Sequence, residues 1–294
     1  MRIRATVAAV SGALALSALA VPAAQADAQA DAQGTVNLDR PSAAERFGIS
    51  SAKSGFNAQA LPVVSNVTVN SGKALVFGTT TVRTFTVSLT ASHPSGIQDA
   101  YIDLWHGTNA ESDVDGYLPP NEEVADCTAT SATTSNCKLT ITAAPGLNGD
   151  AVGDLYANAL AGTWHVSAYV WSNDGEVYEN DFYKAHKVQR QSKLTVNAAP
   201  EPVVKGKAIT VTGNLSRADW QTGKYVGLSG QSVGLQFRKA GTTTYTSVKG
   251  IKSTTGGALK TTVTASVDGY HRFSYAGISS TAAVSATGDY VDVR

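Results

Sequence analysis

GTWHVSAYVWSNDGEVY, residues Gly162 to Tyr178, is the stretch whose reading decides the fold. Trp164, Val166, Ala168 and Val170 fall on one face, and His165, Ser167, Tyr169 and Trp171 fall on the other. Strict alternation of this kind is the period of a half-buried β-strand. Ser172-Asn173-Asp174-Gly175 follows, and Asp-Gly tolerates the positive φ that a tight hairpin needs. Glu176-Val177-Tyr178 then opens a return strand. The same grammar of short alternating runs and polar turns recurs on both sides.

Upstream, Val63 to Val69, Arg83 to Thr90, Ile97 to Trp105 and Cys137 to Thr142 read as strands. In the third of these, Ala100, Ile102 and Leu104 oppose Tyr101, Asp103 and Trp105. Gly107 to Asp126 reads as an acidic loop, and Asp150 to Ala161 as a connection with a turn or two of helix. KAHKVQRQSK, from Lys184 to Lys193, is basic and lacks an apolar period, so it reads as a linker. Downstream, strands are expected around Leu194–Val196, Ile209–Leu215, Val233–Phe237, Tyr245–Lys249, Leu259–Val267, Tyr270–Tyr275 and Tyr290–Val293. About six or seven short strands per unit, separated by turn residues, argue for all-β immunoglobulin-like sandwiches, with a closed barrel as the alternative. The expected organisation is a signal peptide at 1–26, a disordered segment at 27–60, and two tandem antiparallel sandwiches at 61–190 and 191–294.

Bulk properties fit that organisation. The 294 residues are 43% hydrophobic and 16% charged. Lys plus Arg equals Asp plus Glu at 23 each, so no global field attracts nucleic acid or an anionic membrane. Arg2 and Arg4 precede an apolar run from Ala5 to Val21, and Ala24-Gln25-Ala26 offers a cleavage site of the A-x-A kind. The expected product is secreted and extracellular. Cys127 and Cys137 are the only cysteines, and an oxidising compartment makes their disulfide the default, a local clip rather than a bridge between sheets.

Three motifs downstream carry a resemblance: LSRADWQTGKY (Leu215–Tyr225), GQSVGLQFR (Gly230–Arg238) and TGDYVDVR (Thr287–Arg294). The segment from Val211 to Arg294 resembles an Ig-like domain that recurs in exported actinomycete proteins. The resemblance implies a secreted β-sandwich with no established chemistry, and some relatives of that kind carry a calcium-binding label.

Glu111, Asp113, Asp115 and Glu122 occupy positions 1, 3, 5 and 12 of a loop with Gly116 at position 6, the ligand spacing of a calcium loop. Glu at the first position, Pro119-Pro120 after it and a strand before it exclude an EF-hand. The competing reading is a solvated acidic loop. A second acidic set, Asn173, Asp174, Glu176, Asn180 and Asp181, surrounds the hairpin, where Asn and Asp ordinarily serve the backbone. The five histidines are scattered, and no nucleophile, zinc or phosphate motif is present. Tyr169 and Trp171, with Tyr101 and Trp105 in similar phase, are the candidate ligand face; the competing reading is that another part of the protein packs on them.

These residues lead to a non-enzymatic secreted binding or structural protein, with calcium as the one cofactor considered. Its partner is a protein or a polysaccharide outside the cell or at its surface. A protease inhibitor presenting the clipped Cys127–Cys137 loop, a carbohydrate-binding module and a hydrolase are the alternatives, in descending order.

Overall fold

The structure, a computed structural model, describes residues 37–49, 60–148, 151–152 and 154–294, all within one compact unit, Gln33–Arg294. The leader expected at 1–26 and residues 27–36 and 50–59 of the stretch expected to be disordered lie outside the described residues.

After a single helical turn, α1 (Ala43–Arg46), the first sandwich is built from β1 (Val63–Val69), β2 (Leu75–Phe77), β3 (Arg83–Ser92), β4 (Ile97–Asn109), β5 (Asp113–Leu118), β6 (Asp126–Ala129) and β7 (Thr134–Ala143). A two-residue pair follows, β8 (Leu147–Asn148) and β9 (Ala151–Val152), and then β10 (Gly162–Ser172) and β11 (Val177–Arg190). One sheet runs β1-β3-β7-β6; the other runs β2-β11-β10-β4-β5. All these pairings are antiparallel except β2 with β11. This is the strand order of an immunoglobulin sandwich, with β5 as the extra strand of the variable type. The alternation read from the sequence closes the layers. Trp164, Val166, Ala168 and Val170 from β10 meet Val87 and Leu89 from β3 and Leu139 and Ile141 from β7 in one core.

The second sandwich comprises β12 (Ser192–Leu194), β13 (Asn197–Ala199), β14 (Ala208–Asp219), β15 (Lys224–Gly227), β16 (Ser232–Lys239), β17 (Thr246–Lys252), β18 (Ala258–Thr264), β19 (Gly269–Tyr275), β20 (Val284–Ser285) and β21 (Asp289–Val291). β12, β13, β15 and β18 all pair with β14 in one sheet, and β17-β16-β19 with β20 and β21 form the other. Ile209, Val211, Leu235 and Phe273 are fully buried between them.

Two expectations are corrected. The basic run Lys184–Lys193 is no linker: its residues to Arg190 belong to β11, and His186, Val188, Gln189 and Arg190 are buried. Its period was hidden by a bulge. Val166 of β10 pairs with Lys184 and Ala168 with Asn180, so Asp181, Phe182 and Tyr183 face the single residue Ser167. The acidic stretch is no continuous loop either, because Asp113–Leu118 forms β5 against β4. Within the described part of 150–161, the only helix is one 3-10 turn, Asn158–Leu160.

Cys127 and Cys137 lie directly opposite each other in the β6–β7 hairpin and are bonded, with an S–S distance of 1.99 Å. Closing a loop this short contributes about 2–3 kcal/mol. Replacing both cysteines by serine is expected to lower the melting temperature by roughly 4–12 °C, at about 2–4 °C per kcal/mol for a chain of this size. Thermal melts with and without reductant check this, and reductant should leave the double variant unchanged.

The two sandwiches meet at a tight joint. A single residue, Gln191, separates β11 from β12. Its N–H donates to Phe77 O (2.8 Å), and its carbonyl accepts from Ala218 N (2.8 Å). Arg190 N donates to Ser280 O, and Arg190 O accepts from Ala282 N, each at 3.0 Å. Trp220, at the tip of the β14–β15 hairpin, leaves its own sandwich and is fully buried in the core of the first. Its indole N–H donates to Gly78 O (3.0 Å), and its backbone N–H donates to Asn158 Oδ1 (2.9 Å). Asn158 in turn donates to Asp219 and Gln221. Gly146 has φ +80°, and a Cβ there would meet Trp220 O at 2.8 Å, so glycine is what lets the hairpin tip approach.

Two buried histidines, His186 and His271, are expected to make stability depend on pH. Burial holds His186 below the ordinary imidazole range, and Lys184 adds to the effect. Burial also lowers His271, against an opposing pull from Asp289. Both bind a proton more weakly folded than unfolded. Their contribution is therefore complete above the unfolded value near 6.5 and declines as pH falls through the depressed folded values. The melting temperature at pH 5 is expected to lie below that at pH 7.5, and His271→Gln should shrink the difference. A melt series across that range reads it.

Candidate functional site

The expected acidic site does not assemble. Asp113 accepts hydrogen bonds from the backbone N–H (3.1 Å) and hydroxyl of Thr108. Asp115 pairs with His106 Nδ1 at 2.5 Å. Glu122, in the loop between β5 and β6, is bound to the other sheet, accepting from Thr140 N (2.7 Å) and Thr140 Oγ1 (2.6 Å). Burial would raise the Glu122 carboxyl, but the two Thr140 donors outweigh it and hold it below the usual carboxylate range. Glu111 is exposed, and its backbone N–H caps onto Asn109. No group of three or more His, Cys, Asp or Glu side chains is placed to hold a metal ion among the described residues.

The aromatic face, by contrast, is where the structure concentrates its chemistry. Tyr101, Asp103 and Trp105 of β4 lie beside Ser167, Tyr169 and Trp171 of β10, on the side of the sheet away from the core, as the alternation required. The Tyr101 and Tyr169 rings stack at 5.9 Å with 7° between planes. Yet Tyr101, Trp105 and Tyr169 are at most 1% exposed, and Asp103 is fully buried. What covers them is residues 37–49, all of which the sequence placed inside a disordered stretch.

That segment is ordered by its own capping chemistry and by the face it meets. Ser42 caps α1: its hydroxyl accepts from Glu45 N (3.3 Å), while Glu45 Oε2 accepts from Ser42 N (2.8 Å). This reciprocal box satisfies two end donors that a helix of four residues otherwise leaves open. The turn aims Ala43 into contact with Tyr101 and Tyr169, and Phe47 onto Trp171 at 5.8 Å between centroids. Ahead of the turn, Leu38 packs with Trp105, Ala110 and Val114. Leu38 N donates to Val114 O (2.7 Å) and Val114 N donates to Asn37 Oδ1 (3.1 Å), so the segment also covers part of the open edge at β5.

Arg40 is the centre of the site. Its guanidinium makes a two-pronged contact with Asp103, Nε to Oδ2 at 3.0 Å and Nη2 to Oδ1 at 3.1 Å. Nη1 donates to Asp181 Oδ1 (2.7 Å) and Nη2 to Ser167 Oγ (2.6 Å) and Tyr169 Oη. The Tyr169 hydroxyl donates to Asp181. The β11 bulge is what turns Asp181 toward this point, and Asp181 O also accepts the Trp105 indole N–H at 2.9 Å. The Arg40 and Asp103 side chains are 3% and 0% exposed. Burial alone would push Asp103 up and Arg40 down. The contact between them opposes both tendencies, and it carries the Arg40 guanidinium above its ordinary range. A second arginine works beside it. Arg46 lies 3.8 Å above the Tyr101 ring and donates to the Tyr101 and Tyr117 hydroxyls, which bond each other at 2.8 Å.

Sequence reasoning found the aromatics and their phase but missed Arg40 and Asp103 as site residues, and it placed Asp181 only in an acidic set around the hairpin. One signal was available. Ser42-x-x-Glu45 is a capping box, and an aspartate at the centre of an aromatic strand face needs a cation from somewhere else in the chain.

No protein-family profile matches the chain, and no curated protein is similar to it at a significant level. Among solved structures, the chain is similar to the D00–D0 domain of intimin, with 14% identity over 78% of this chain and 99% of that one, and a TM-score of 0.24. Domains A168–A170 of titin match at 10% identity over 80% and 68%, with a TM-score of 0.26. A marsupial T cell receptor matches at 11% over 79% and 73%, with a TM-score of 0.32. At these scores the likeness adds no argument about the site.

Proposed function

We propose that this chain is an exported, non-enzymatic binding or structural protein in which two Ig-like sandwiches act as one rigid unit. The burial of Trp220 in the neighbouring core is the observation that carries the proposal. A side chain donated across the joint, with one residue of connecting chain, fixes the angle between the sandwiches. Structural and recognition proteins use such fixed geometry to hold a surface at a set position. The leader-like N-terminus and the Cys127–Cys137 bond support export. The deeply buried carboxylates have structural work: Asp103 holds Arg40, and Asp99 accepts from the backbone N–H groups of Ala100 and Ala125. Calcium has no part in this reading, because Asp113, Asp115 and Glu122 are bound to three separate protein donors.

Small-angle X-ray scattering tests it. The profile of residues 60–294 within the full chain is expected to fit one inter-sandwich arrangement, unchanged by millimolar calcium or EDTA. A profile that requires a broad distribution of arrangements would overturn the rigid-unit reading.

A further inference from the structure

The Arg40 site is built as a receptor, and its occupant comes from outside the sandwich. Asp103 is fully buried on a sheet face, and its cation lies 63 residues earlier in the chain. Without Arg40 that carboxylate would have only Ser167 as a neutral donor on the sheet, an expensive arrangement for a buried charge. A guanidinium fits the rest of the pocket by shape. Its planar fork answers Asp103 with two parallel bonds, leaves one Nη for Asp181 and the other for Ser167 and Tyr169, and lies 5.7 Å from the Trp105 ring centroid. An ammonium offers no such fork. Six residues on, Arg46 reads the second subsite, the Tyr101–Tyr117 hydroxyl pair.

The occupant also behaves like a peptide ligand. Residues 37–49 touch the face through side chains and one backbone hydrogen bond, Leu38 N to Val114 O, and their one helical turn is closed internally by Ser42 and Glu45. Ten residues, 50–59, connect them to the sandwich, a length of chain that spans at most about 33–36 Å when extended. From these observations we propose that the outer face of the β2-β11-β10-β4-β5 sheet is a recognition site for an arginine-bearing peptide segment, that residues 37–49 are its resident ligand, and that it accepts the same segment from a second copy of the chain. The inference rests on the binding arm of the function proposed above and is independent of the joint at Trp220.

The resident segment belongs to the same chain as the face and competes with added peptide, so trans binding is read on a chain whose own segment is disarmed. The probe is a fluorescently labelled peptide of sequence Asn37–Ile49, titrated into the full-length Arg40→Ala, Arg46→Ala chain. A saturable rise in anisotropy is expected. A peptide with Arg40→Ala should bind at least 100-fold more weakly, and one with Arg40→Lys at least 10-fold more weakly, while the wild-type chain should bind the native peptide at least 10-fold more weakly than the disarmed chain. No binding to a disarmed chain that still melts cooperatively, or equal binding of the native and Arg40→Ala peptides, would overturn the proposal. If the disarmed chain does not fold, excess peptide is added to the wild-type chain and the Trp105 indole N–H resonance is followed. A shift with the native peptide and none with the Arg40→Ala peptide supports trans occupancy, and no shift with either overturns it. Scattering on the same samples reads the joint separately, so failure here leaves the rigid-unit reading standing or falling on its own measurement.

Discussion

Arg40→Ala is expected to destabilise the chain by about 3–5 kcal/mol, the usual cost of removing one partner from a buried ion pair. At about 2–4 °C per kcal/mol this is a fall of roughly 6–20 °C in melting temperature. The loss has two parts. Asp103 loses its two-pronged partner, and the segment 37–49 loses the side chain that anchors it to the face. Release of the segment lets water reach Asp103, which places the cost toward the lower end. It also uncovers Trp105 and Trp171, so tryptophan emission should shift to the red. The decisive comparison is a double-variant cycle. Arg40→Ala with Asp103→Ala removes the stranded buried carboxyl group and should be more stable than Arg40→Ala alone, the sign expected when most of the penalty is an unpaired buried polar group. A double variant less stable than the single one would mean that packing, not charge, holds the segment.

Trp220→Ala produces the second large effect, and of a different kind. Truncating a fully buried tryptophan costs about 3–5 kcal/mol. Here the cavity opens in the core of one sandwich while the residue belongs to the other. The indole bond to Gly78 O is lost with it, and Asn158 loses the neighbour that its contacts with Asp219 and Gln221 surround. The wild-type chain is expected to unfold in a single calorimetric transition, because neither sandwich keeps its interface when the other opens. The variant should show two transitions, with the first sandwich melting earlier. Leu89→Ala opens a cavity in the same core from β3, which carries none of the joint residues, and it should lower stability while leaving one transition. Two transitions in both variants would remove the special role given to Trp220.

Much of the fold was legible because alternation is a local signal. The Gly162–Tyr178 hairpin, the inward and outward phases of β4 and β10, the Cys127–Cys137 clip and the strands of the second sandwich all follow from residues close in sequence. The failures were non-local. At Asp181–Tyr183 a bulge places three residues opposite one, and period-two reading stops there, so the rest of β11 passed for a linker. At Asp113–Leu118 the carboxylate spacing suited a cation, while the backbone paired with β4 to make a strand. Residues 37–49 carry no long apolar period, because their order comes from a capped turn and from a face assembled by β4, β5, β10 and β11. The same gap hid the candidate site. Tyr169 and Trp171 were found by phase, but nothing local shows that Arg40 lies against Tyr169 and Phe47 against Trp171. The four acidic candidates shared a motif and not a place.

The docking of residues 37–49 on the outer aromatic face is the central claim, and nuclear Overhauser contacts in the wild-type chain test it most directly. Cross-peaks are expected between the Leu38 methyls and the Trp105 indole, and between the Phe47 and Trp171 rings. Absence of both, with residues 37–49 at random-coil shifts, would contradict it.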